Sequence, residues 1–134
     1  MSLFKIFDVS GSAMSAQSQR LNVVASNLAN ADSVTSSNGQ AYKAKQVVFS
    51  AMQSADPAAT GVKVSQVVED ATPAKLMYDP KHPLADEKGY VAMPNVNMVE
   101  EMVNMMQASR AYEAGVRAMS TLGGMAQKAI TIGE

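Results

Sequence analysis

The sequence predicts an α+β protein: long N- and C-terminal helices pack as a coiled-coil-like layer, with a small strand-rich module inserted between them. Apolar residues recur at sevens near both ends, which is the spacing of a helical seam. The stretch between them alternates like short strands separated by turn residues. The composition agrees. The 134 residues include 21 Ala and 11 Met, with aromatics at 5% and no Trp. Small and flexible side chains suit closely packed helices better than a core anchored on rings. This length matches one domain and leaves little room for two separate cores.

The N-terminal helix is expected over residues 1–31. Phe7, Met14, Leu21 and Leu28 form one row at sevens, and Leu3, Ser10, Gln17, Val24 and Ala31 form a second. Gly11 weakens the front of this helix by about 1 kcal/mol relative to Ala. A Ser/Thr/Asn/Gly cluster from Ser33 to Gly39 ends it.

Residues 32–94 read as the middle module. Strand-like runs occupy Ala41–Phe49, Gly61–Glu69, Lys75–Tyr78 and Gly89–Met93. Turn signals at Asp56-Pro57, Thr60-Gly61, Asp79-Pro80 and Lys88-Gly89 separate them.

The C-terminal helix is expected within residues 95–134. Met98, Met105, Tyr112, Met119 and Ala126 make one heptad row, and Met102, Ser109, Val116, Gly123 and Ile130 the other. Asn97-Met-Val-Glu100 has capping-box spacing with Asn at the cap. Such a helix is about 50 Å long, too long to bury its stripe on one small globule.

Charge and residue inventory exclude several functions. Eleven basic against twelve acidic residues is not the balance of a nucleic-acid binder, which must neutralise phosphates. The absence of Cys excludes disulfides, thiolate nucleophiles and Cys-based zinc sites. No apolar run is long enough to insert in a membrane, and Lys5 and Asp8 interrupt the apolar start, so no cleaved secretory signal is expected. The single histidine, His82, stands in a turn sequence, and Glu100-Glu101 suits the first turn of a helix better than acid–base chemistry. Met98, Met102, Met105 and Met106 share a helix face. Without Cys or a nearby His they read as a deformable packing stripe and not a cuprous site. No catalytic group, cofactor or metal is expected, and the chain is not read as an enzyme. Arg20, Arg110 and Arg117 are the helix cations available to acidic partners such as Glu100, Glu101 or Glu113.

Two runs then become recognisable. Ser10–Gln17 and Arg20–Asn30, ending in Asn27-Leu-Ala-Asn30, resemble the signature of axial proteins of the bacterial flagellum. Gly89-Tyr-Val-Ala-Met-Pro-Asn-Val-Asn97, followed by Glu101-Met-Val-Asn-Met-Met-Gln-Ala-Ser-Arg-Ala-Tyr112, is similar to the proximal subunits of the flagellar basal-body rod family. The resemblance covers nearly the whole chain. It implies a structural subunit that polymerises through its terminal helices into the helical drive-shaft tube of the rod. It also implies export through the flagellar type III apparatus without a cleaved signal, and assembly across the periplasm. The implied partners are further copies of the chain, the rod protein FlgB, the adaptor FliE and next-segment proteins such as FlgF. The residues assigned to that interface are Phe7, Met14, Leu21, Val24, Asn27, Leu28 and Asn30, with Met98, Met102, Met105, Tyr112, Val116, Met119, Gly123 and Ile130. The alternative function is a soluble helical adaptor or chaperone of an export system.

Overall fold

In the computed structural model, which describes residues 3–35, 38–53 and 59–133, helix α1 spans Leu3–Ala29 and helix α2 spans Met98–Ile132. Among the described residues four strands lie between them: β1 (Lys45–Met52), β2 (Gly61–Glu69), β3 (Lys75–Tyr78) and β4 (Tyr90–Met93). This is the α+β layout that the sequence predicts. The turn expected at Asp56-Pro57, and Ser36 and Ser37 of the helix-ending cluster, lie outside the described residues.

The two helices pair antiparallel. As the α1 position falls from Asn27 to Arg20 to Met14, its α2 neighbour rises from Glu101 to Asn104 to Gly115. Glu101, Ala108 and Gly115 are successive members of one heptad row, and Ala108 is fully buried. The inner seam of α2 therefore runs one residue ahead of the expected 102/109/116/123 row. Close approach selects it: at Gly115 a Cβ would stand 2.5 Å from Met14 Cγ. Backbones come this near only where side chains are small.

Capping explains where α2 begins. Asn97 is extended (φ −100°, ψ 105°), and its side chain accepts hydrogen bonds from the Val99 and Glu100 amides. Glu100 and Glu101 fill the first turn, where the helix dipole favours acids.

The strands form two separate antiparallel pairs. β1 and β2 pair from Lys45↔Glu69 to Met52↔Gly61, with a register shift between Val48 and Phe49. This hairpin lies along α1. Ser12 Oγ donates to the Val9 carbonyl (2.8 Å) and accepts from the Val62 amide (3.1 Å), tying the helix to the start of β2. β1 starts later than expected because Tyr42 and Ala44 are drawn into a small cluster with Ala31 and Val96.

β3 and β4 pair from Lys75↔Met93 to Tyr78↔Tyr90, and the two tyrosine rings meet edge-on at 5.3 Å. Gly89 closes their connection at φ +82°, a conformation that strains side-chain-bearing residues. Asp86 Oδ1 accepts from the Lys88 and Tyr90 amides in the same turn.

Candidate assembly interface

The expected interface residues divide into two sets. Val24 and Asn27 are buried within the chain. Phe7, Met14, Leu21, Leu28, Asn30, Met105 and Met119 are half-buried. Asn30 is occupied locally: its Nδ2 donates to the Ser26 carbonyl (2.9 Å), and its Oδ1 accepts from Ser33 Oγ (3.1 Å).

Met98, Met102, Tyr112, Val116, Gly123 and Ile130 are exposed. Met102 is 50% exposed and Ile130 67%, and among the described residues nothing lies within 4 Å of where a Gly123 Cβ would stand. Val99, Val103 and Met106, outside the expected set, extend this face; Val99 is 71% exposed. Met102, Met105 and Met106 line a shallow groove with Ser109, Arg110 and Glu113. A contiguous exposed apolar face on a helix marks a contact surface.

Asn27 joins three elements. Its Nδ2 donates to the Lys45 carbonyl (2.8 Å) and to Glu101 Oε2 (3.1 Å). Its Oδ1 accepts from the Lys45 amide (2.9 Å) and from the Tyr42 hydroxyl (3.1 Å). All four hydrogen-bonding positions of the side-chain amide are filled. Among the described residues it is the one buried polar side chain, at 1% exposure. Each of these groups left orphaned would cost about 1–3 kcal/mol. Asn95 plays a parallel part at the root of α2. Its Oδ1 accepts from the Ala44 amide (2.7 Å), and its Nδ2 donates to the Asp70 and Thr72 carbonyls.

Among the described residues the charged side chains show no convergent chemistry. Arg20 donates to Asn104 Oδ1 at 3.1 Å. His82 lies in the turn after Asp79, where its Nδ1 accepts from the Leu84 amide (3.1 Å). Thr72 holds the Asp70 carboxyl below its ordinary range, first through its hydroxyl and then through its amide. Among the described residues no group of three His, Asp or Glu is placed to hold a metal ion, and no helix is long and apolar enough to cross a membrane.

Comparison with known proteins gives this geometry its class. Residues 7–38 match the family described as "Flagella basal body rod protein". Residues 87–132 match the family described as "Flagellar basal body rod FlgEFG protein C-terminal". The paired terminal helices thus carry the marks of flagellar rod proteins. Full-length relatives refine the assignment. The chain is 58% identical to flagellar basal-body rod protein FlgC of Escherichia coli O157:H7 and 55% to that of Salmonella typhimurium, each alignment covering all of both chains. The FlgC of Bacillus subtilis is 40% identical, again over the whole of both chains. The chain belongs to the FlgC family and is a structural subunit of the flagellar basal-body rod. These relationships do not favour a soluble adaptor or chaperone.

Proposed function

We propose that this subunit acts by packing alone, without catalysis, and that it polymerises through its terminal helices into a helical tube that transmits torque. The observation that carries this reading is surface area. The chain exposes 9146 Å², whereas a compact monomer of 14.1 kDa exposes roughly 6,700 Å². The excess of roughly 2,400 Å² is room for about three standard interfaces at about 800 Å² per partner. The outer face of α2 contributes exposed apolar side chains to it, among them Val99, Met102, Val103, Met106 and Ile130.

In this proposal residues 1–31 and 95–134 form the helical core, and residues 32–94 form the outer module. Met98, Met102, Tyr112, Val116, Gly123 and Ile130 meet neighbouring subunits. The half-buried row Phe7, Met14, Leu21 and Leu28 closes the pair within each one. Heterologous contacts between such surfaces do not close on themselves and so generate a helical polymer. FlgB, FliE and FlgF are the proposed neighbours beyond further copies of the chain. Export by the flagellar type III apparatus, without a cleaved signal, would deliver it to a rod spanning the periplasm.

The test replaces Met102 and Met106 together by Asp. The double variant should express and keep its helix content, yet be missing from purified basal bodies. Normal incorporation would remove the outer α2 face from the interface.

A further inference from the structure

We propose that Asn27 is the positioning residue that sets the axial register of α1 against α2 and against the root of the β1–β2 hairpin. The apolar rows define register poorly. Phe7, Met14, Leu21 and Leu28 repeat every seven residues, and the facing row of Ala108, Gly115 and Leu122 offers small or apolar positions at the same interval. Sliding one helix by a heptad leaves such a seam nearly as well filled. One buried polar residue at a seam breaks this degeneracy, because only one register supplies its partners.

Asn27 meets that requirement from both sides. Towards α2 it reaches Glu101. Towards β1 it grips the amide and the carbonyl of Lys45 together, as a neighbouring strand would. A competing register is also built in. Arg20 lies one heptad before Asn27, so a one-heptad slide brings Arg20 to Glu101 and Met14 to Ala108. In the observed register Arg20 instead bonds Asn104, and Asn27 holds Glu101. Uniform subunits need this choice to be made the same way in every copy.

The chain has no cysteine, so introduced pairs report register cleanly. Met14→Cys with Gly115→Cys places two Cβ atoms about 3.9 Å apart, within the range of a disulfide. Met14→Cys with Ala108→Cys reports the slid register. In the otherwise unchanged full chain, the first pair should oxidise and the second should not. Adding Asn27→Leu should lower the 14/115 yield severalfold and make 14/108 cross-link, while helix content by circular dichroism holds. An unchanged 14/115 yield with no 14/108 product would overturn the proposal. Should Asn27→Leu fail to fold, Asn27→Asp gives the second test. It sets two carboxylates together and should lower the 14/115 yield, and adding Glu101→Gln, whose amide can donate to the new acid, should restore it. Absence of that rescue also counts against Asn27. Because the cross-links are read on the isolated chain, their outcome is separate from whether the outer α2 face builds the rod.

Discussion

Gly115 lies so close to Met14 that a side chain added there would force the Met14 side chain to move. The two nominal Cβ positions are 3.9 Å apart, and Met14 Cγ already occupies the space a Gly115 side chain would take. Gly123, eight residues further on, has no described atom within 4 Å of where its Cβ would stand. The two glycines of one helix therefore respond to substitution in opposite ways.

Gly115→Val should destabilise the isolated chain by about 1–3 kcal/mol, the usual cost of overpacking. Gly123→Ala should stabilise it by up to about 1 kcal/mol through helix propensity. Thermal unfolding of the two variants checks both signs. Equal shifts would mean that the Gly115–Met14 contact is not maintained.

Gly123→Leu should be neutral to slightly stabilising in the isolated chain, through the same helix propensity, and harmful in the rod. Its side chain projects from the outer face of α2, where a neighbouring subunit is proposed to pack. Expression and helicity should match the parent, and its amount in purified basal bodies should fall severalfold. Parent-like incorporation would show that this position is loosely packed in the assembly.

Leu28→Asp should abolish motility, whereas His82→Ala should leave it intact. Leu28 is a half-buried member of the α1 seam, and a carboxylate stranded there without a partner costs several kcal/mol. His82 only accepts one hydrogen bond in a partly exposed turn. Swimming assays on the two strains decide between seam and turn.

Asp70 should titrate below an ordinary aspartate. Because its folded pKa is lowered, its contribution to stability is present above the unfolded value and is lost as pH falls through the folded one. Thr72→Ala removes the largest cause, the hydroxyl, but keeps the amide bond. The titration midpoint followed by carboxyl NMR should therefore move up towards the ordinary value without reaching it. No movement would mean that the hydroxyl bond does not persist in solution.

Helices and turns were the most legible features because their causes are local. Asn97 at the cap, Gly89 in the tight turn and the sevenfold rows can each be read without knowing what lies opposite. β1 was less legible. Its start is set by Tyr42 and Ala44 joining Ala31 and Val96, residues distant in the chain. The split of the α2 stripe was hidden for another reason. A search for apolar periodicity favours Met and Val, whereas the intrachain seam uses Ala108 and Gly115 for their small size. Asn27 was visible as part of a motif, but its partners Tyr42, Lys45 and Glu101 come from two other segments, and spacing does not reveal them.

The antiparallel pairing of α1 with α2 has a consequence for the life of the chain before assembly. The partners of the first helix sit in the last one, so α1 waits for nearly the full sequence before it can close its seam. Contacts of such long sequence separation form slowly. A subunit interrupted before Glu101 leaves Asn27 without its carboxylate acceptor, and one interrupted before Ala108 leaves the seam without its tightest contact. The helix pair thus depends on chain completeness: the seam of α1 closes only once the first half of α2 is present.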